Sequence, residues 1–254
     1  MKRTPAQKKE FIANVQKHLA DEKKRNHAGS LAEIILGGQD GLVNVLGIVL
    51  GVASATSDKF IVLIAGLVAT FAESISMAAV AYTSTRAEQD HYRSELEQEK
   101  WEIEHVPEVE EEEIRLIYMK KGFRGKELER MVKSITSNKE LWLSVMMTEE
   151  LGLAPVEKSN PVRAAAIVGV SAMVGSVIPL VPFVLLPIGD AIIASLALST
   201  IVLFIVGAYK ATVTIGDWKK SGIEMAVIGM LAALTGWLIG KVLGDFFGLK
   251  QVPG

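Results

Sequence analysis

Asp40 and Glu73 are carboxylates set inside stretches of chain that are otherwise apolar, and Met77 follows Glu73 by one helical turn. An ionisable group in hydrocarbon costs several kcal/mol or more unless it faces a bundle interior or a water-filled path, so such residues point to ion or proton movement. A second set of candidate ligands is polar in context. Glu99 with Glu102, and Glu110 with Glu113, are spaced i and i+3, so each pair projects from one side of a helix. Inward-facing glutamates on neighbouring helices are how bundle proteins build dinuclear iron and manganese sites. Oxygen donors alone suit Ca²⁺, Mg²⁺ or Mn²⁺, whereas Met146 and Met147 beside Glu150 add thioethers that favour a transition ion. A charge run is ordinarily a solvated face, and its coincidence with the intramembrane acids is what marks this one out.

The elements that must position these groups are helices. Leu31–Ala55 is long enough to cross a bilayer, which takes about 20 apolar residues. At helical spacing Glu33, Gly37, Asp40, Asn44, Gly47 and Gly51 share one face, a polar and small-residue seam. A turn over Ser54–Lys59 leads to a second span, Phe60 to about Tyr82, which returns Glu73 and Met77 to the depth of Asp40. No Pro or Gly interrupts Ala81–Glu104, so this helix continues beyond the membrane as a charged rod. Pro107 breaks it, and Gly122 and Gly125 set off a third segment running to Gly152. Three further spans are expected at Arg163–Leu180, about Leu185–Ala208 and about Gly222–Phe246. Pro179, Pro182 and Pro187 would form the connection between the third and fourth spans, and Gly236, Gly240 and Gly244 a packing seam.

Composition agrees with this division. Half of the 254 residues are hydrophobic while 22% are charged, which requires the charges to be segregated, and they gather at the N-terminus and between 86 and 162. Residues 88–113 hold twelve acids against Arg93 and Lys100. A net charge of −2 without a basic and aromatic face argues against a nucleic-acid partner, and the absence of Cys excludes disulfides, thiolate zinc sites and Cys nucleophiles. Residues 5–25 read as a basic amphipathic helix on the membrane surface with Phe11, Ile12, Val15 and Leu19 as its stripe. Its Lys and Arg residues put the N-terminus in the cytoplasm by the positive-inside rule.

The expectation is therefore an all-α membrane protein: five transmembrane helices with a cytoplasmic three-helix metal-binding domain inserted between spans 2 and 3. The parts are residues 1–30, an N-terminal amphipathic helix; 31–87, spans 1 and 2; 88–160, the metal-binding domain; and 161–254, spans 3 to 5. One chain offers few donors around Asp40, whereas a divalent ion wants about four to six. A homodimer follows, with Gly37, Gly41, Gly47 and Gly51 allowing close approach along its axis.

Four stretches, GGQDGL around Asp40, ESISM at Glu73–Met77, DHYRSELEQEKWEIEHVPEVEEEEI and MMTEELGL, resemble the vacuolar iron transporter family, and the likeness runs from Glu33 to the last span. The resemblance implies export of Fe²⁺, in some members Mn²⁺, from the cytoplasm in exchange for protons through a dimeric pore. It implies soluble-domain ligands at Glu99, Glu102, Glu110, Glu113, Met146, Met147 and Glu150, and pore residues at Asp40 and Met77 with Glu33 and Glu73 nearby. No prosthetic group is implied; the metal is cargo, with Zn²⁺ and Co²⁺ chemically similar candidates. The membrane would be the cell membrane in a prokaryote and the vacuolar membrane in a eukaryote. The chain departs from the family where AAVAYTSTRAEQ follows ESISM and where Gln39 stands in place of a small Ser.

Two other classes compete. A membrane-anchored metal buffer or sensor needs the acidic domain but not the acids in the bilayer. A di-iron oxidase usually takes a Glu-x-x-His pair from each of two facing helices, whereas Glu88–His91 and Glu102–His105 follow one another on a single stretch without Pro or Gly, so the chain is not expected to be an enzyme.

Overall fold

A computed structural model describes residues 28–56, 58–155, 160–213 and 216–248. The amphipathic helix expected over residues 5–25 lies outside them. The described chain is helical throughout, and five of its helices are long and apolar enough to cross a membrane. It divides into two compact units, one formed by the residues up to Ala81 and from Val162 onward, the other by Tyr82–Pro161.

In the first unit, α1 (Ala28–Ala55) buries Leu42, Val45, Leu46, Val49, Leu50 and Ala53 along one stripe. The spacing of three and four residues is that of a single helical face. Asp58 caps the next helix, its carboxylate accepting from the Phe60 and Ile61 amides at 2.8 and 3.4 Å. That helix, α2 (Lys59–His105), runs unbroken for 47 residues, as the lack of Pro and Gly over its second half predicts.

The third span differs from expectation. Helix α6 (Pro161–Val177) passes through a 3₁₀ turn (Ile178–Leu180) into α7 (Val181–Leu185), so Pro179 and Pro182 lie within the span and only Pro187 falls in the connection. A proline in the first turn of a helical segment gives up an amide that has no partner there, which lets both be absorbed. The Ser195 hydroxyl donates to the Pro179 carbonyl at 2.8 Å and ties this break to α8 (Ile188–Val213). Helix α9 (Trp218–Phe246) starts about a turn earlier than expected, because Asp217 accepts from the Lys219 and Lys220 amides and caps it.

Small residues bring these helices together. A Cβ on Gly236 would lie 2.1 Å from the Gly47 carbonyl oxygen, one on Gly240 1.8 Å from that of Gly51, and one on Gly244 2.8 Å from Ala55 Cα. The seam expected at Gly236, Gly240 and Gly244 thus exists, and its partner is α1 of the same chain. Likewise Gly37 and Gly41 sit against the Val168 and Ala172 carbonyls of α6. The expectation that the α1 glycines serve contact with a second copy is corrected accordingly: their close approaches are made within the protomer.

In the second unit, Pro107 starts α3 (Pro107–Lys120), and Gly122, at φ +103°, makes a turn that a side chain would resist. The single segment expected from there to Gly152 is instead two helices, α4 (Gly125–Thr136) and α5 (Lys139–Val145). Asn138 divides them by accepting from the Glu140 and Leu141 amides at 3.0 and 3.2 Å. A π-turn over Met146–Glu150 follows, closed by Leu151 N–H to Met146 C=O at 3.2 Å. Ile103, Ile114, Leu128, Val132, Ile135, Trp142, Val145 and Met146 form the core.

Candidate metal centre and membrane carboxylates

In the membrane unit the side chains of Asp40 on α1 and Glu73 on α2 are hydrogen-bonded to each other, and Asn44, one turn beyond Asp40, also bonds Glu73. The sequence placed Asp40 and Glu73 at one depth; Asn44 as their third member was legible only as part of the polar seam. Both acids are half-buried and Asn44 is exposed. Met77 is half-buried one turn beyond Glu73, and Glu33 two turns before Asp40. The other hydroxyls nearby on α2 are self-satisfied, Thr70 donating to the Gly66 carbonyl and Ser74 to that of Thr70.

In the other unit, carboxylate oxygens of Glu99 on α2, Glu110 on α3 and Glu150 on the π-turn lie within 4.8 Å of one another. Glu99 is 4% exposed and Glu110 3%, and one oxygen of each is sealed from solvent with no hydrogen-bond partner. A buried, unpartnered carboxylate oxygen is costly, so the pair calls for protons or cations. Burial, then the charges of Glu150, Glu102, Glu113 and Glu95, push Glu99 up to about 7. Burial, then Glu113, Glu99, Glu102 and Glu150, do the same to Glu110, also to about 7. Partial desolvation, Glu113 and Glu102 raise Glu150 as well.

The five expected glutamates therefore act on one another electrostatically, and Glu95 joins them; the sequence signal for it is its position one turn before Glu99. The two methionines part company. Both are buried, but Met146 packs in the apolar core with Ile114 and Trp142, whereas Met147 lies outside that cluster. His105 is turned to another use: its ring stacks on Trp101 at 4.4 Å, with Nδ1 2.8 Å from the Trp101 carbonyl oxygen. Salt bridges brace the shell. Lys121 at the end of α3 pairs with Glu149 of the π-turn, and Arg115 joins Glu111 and Glu112 of α3 to Glu129 of α4.

A sequence model of the VIT family matches residues 31–241. Vacuolar iron transporter 1 of Arabidopsis thaliana is 33% identical over 229 residues, covering 89% of this chain and 92% of that protein. Vacuolar iron transporter 2 of Oryza sativa subsp. japonica is 33% identical over 241 residues, with 92% and 98% covered. A vacuolar iron transporter of Plasmodium falciparum is 32% identical over 244 residues, with 92% and 89% covered. Matched over most of its length by the family model and by relatives of nearly its own size, this multi-pass membrane chain belongs to the VIT family.

Proposed function

We propose that the chain is a proton-coupled antiporter that carries Fe²⁺, with Mn²⁺ as a second cargo, out of the cytoplasm. The observation that carries this reading is the hydrogen-bonded pair of Asp40 and Glu73 on two membrane-spanning helices. Carboxylates that ligate a metal ion must first lose their protons, so such a pair holds either a proton or a divalent ion. Opening to one side at a time, it exchanges the two. Met77 supplies a soft donor that selects a transition ion over Ca²⁺ or Mg²⁺, and Glu33 collects cations on the approach.

Residues 88–160 act as the cytoplasmic capture domain. Glu99, Glu110 and Glu150 form its centre, Glu102 and Glu113 complete the oxygen set, and Met147 is the better placed thioether; Met146 serves the core first. A metal buffer would use these residues alone and has no need of Asp40 or Glu73. Membership of a transporter family also sets aside the oxidase reading. Reconstituted protein tests the proposal: Fe²⁺ flux into proteoliposomes should accelerate when a pH gradient is imposed in the exchanging direction. Stoichiometric binding with no flux would overturn it in favour of the buffer.

A further inference from the structure

A groove of about 480 Å³ opens in the membrane unit between α6 and α8, with α1 as its floor. It follows α1 from Leu31 to Leu42, about 16 Å, and α8 from Tyr209 back to Val202. Val170 and Val174 of α6 and Ile205 of α8 stand more than half exposed along its walls. The lining is apolar apart from Gln39, Ser171 and Tyr209. An apolar cleft with a few polar groups, within about 300–1,000 Å³, is the usual form of a small-molecule site. The groove lies on the far side of α1 from the carboxyl pair. At about 100° per residue, Asn44 points about 160° away from Leu42, and Glu33 as far from Leu31 and Ile35. A second copy that covers Asn44 therefore leaves this groove facing lipid.

Two cations stand at one end of it. From the bond between the Ser195 hydroxyl and the Pro179 carbonyl, α6 and α8 run back on either side of the groove, 16 residues to Arg163 and 15 to Lys210. Both side chains thus leave the backbone about 23 Å from that bond, at one level. Leu31 shares the level: Gly37 meets Val168, and six residues back along both helices Leu31 is beside Val162. On α6, Arg163 lies between the lines of Val170 and Val174, about 20° from each; on α8, Lys210 lies between those of Leu203 and Val206. Each cation is exposed and continues one wall of the groove. From Lys210 to Lys220 the chain holds three Lys against Asp217, whose carboxylate caps α9.

We propose that the groove holds one acyl chain of an anionic phospholipid whose phosphate sits between Arg163 and Lys210. Basic pockets between membrane helices bind such headgroups, Arg meets phosphate through paired N–H donors, and long cationic side chains reach up to the interface from below it. Tyr209, at the same end, offers a phenol hydroxyl as a further donor. A zwitterionic lipid carries its own cation beside the phosphate, so the two side chains should favour a headgroup that has none. The site does not depend on the transport reading.

Native mass spectrometry of the detergent-purified full chain tests this, with phosphatidylglycerol and phosphatidylcholine of identical acyl chains offered together. One phosphatidylglycerol per chain should be retained, at least several-fold over phosphatidylcholine. Arg163→Gln with Lys210→Gln should abolish the preference, and Arg163→Lys with Lys210→Arg should keep it, which separates lost charge from misfolding. Lys241→Gln should also keep it, since that cation lies over Trp237 on α9, outside the groove. Val174→Trp, which fills the groove, should lower retention several-fold. A phosphatidylglycerol with a photoreactive acyl chain should label residues 170–178 and 202–206. Equal retention of the two lipids, or a preference that survives the double Gln substitution, overturns the proposal. So does undiminished retention by Val174→Trp, or labelling confined to other segments, since either would leave the headgroup on the cations with no chain in the groove.

Discussion

At the level of single residues, the same element of chemistry recurs in both units: carboxylates brought close to one another by neighbouring helices. For Asp40 the consequence is kinetic. Asp40→Asn keeps the size and the hydrogen bonding to Glu73 but removes a titrating site, so it should abolish pH-driven Fe²⁺ movement while leaving soluble-domain binding intact. Normal proton-driven flux in that variant would shift the exchange to Glu73 or Glu33. For Glu99 and Glu110 the consequence is thermodynamic. Their folded-state values, about 7, lie above the ordinary carboxylate value of 4.5, so between these limits the folded domain binds more protons than the unfolded chain. Stability attributable to them is therefore full below about pH 4.5 and declines as pH rises through 7. Without metal, hydrogen exchange at the core amides of α4 and α5 should quicken over that range, and saturating Fe²⁺ or Mn²⁺ at pH 7.5 should slow it, by about 2.7 kcal/mol at a hundred times Kd. Glu99→Gln with Glu110→Gln should flatten the pH dependence and remove the metal effect. A pH dependence that survives the double substitution would mean the cause lies elsewhere.

At the level of elements, the apolar periodicity and the prolines and glycines were enough to read five spans and the long α2, because burial in a bilayer leaves a strong and simple pattern. What escaped was local. Asn138 divides α4 from α5 without Pro or Gly, although Thr-Ser-Asn followed by Lys-Glu is a recognisable cap. Pro179 and Pro182 read as a connection because their tolerance depends on a 3₁₀ turn and on Ser195, which approaches from α8. The glycines of α1 were recognisable as a contact surface, but nothing in one chain says whether the surface that meets them is its own. The structure makes that choice testable. Gly240→Ala drives a methyl into the Gly51 carbonyl and Ser54, whereas Gly38→Ala meets the Ser171 carbonyl at 3.6 Å, an ordinary contact. In detergent melts the first should destabilise by about 1–3 kcal/mol. The second should be neutral or stabilise by up to about 1 kcal/mol from helix propensity. Equal melting temperatures for the two variants would contradict the close α1–α9 approach.

For the whole molecule, the question is what covers the polar seam of α1. The stripe of Leu42, Val45, Leu46, Val49 and Leu50 is buried inside the protomer, while Gly37 and Gly41 are taken by α6, and Gly47 and Gly51 by α9. Asn44 and Ile48 stay exposed beside the half-buried Asp40 and Glu73. In a bilayer this edge would set an amide and two acids against lipid. A second copy related by a two-fold axis would cover it and double the donors, which matters because Asp40, Glu73 and Met77 of one chain fall short of the about four to six ligands that a divalent ion takes. Close packing on that axis then comes from the exposed side chains of α1 rather than from its glycines. With no native cysteine in the chain, Ile48→Cys should form an intermolecular disulfide under mild oxidation, which needs Cα atoms within about 7 Å. Ile193→Cys, on an exposed position of α8, should not. The linked species should run at twice the 27.5 kDa of the chain. Protein that is strictly monomeric in lipid and still carries metal would refute the shared pore.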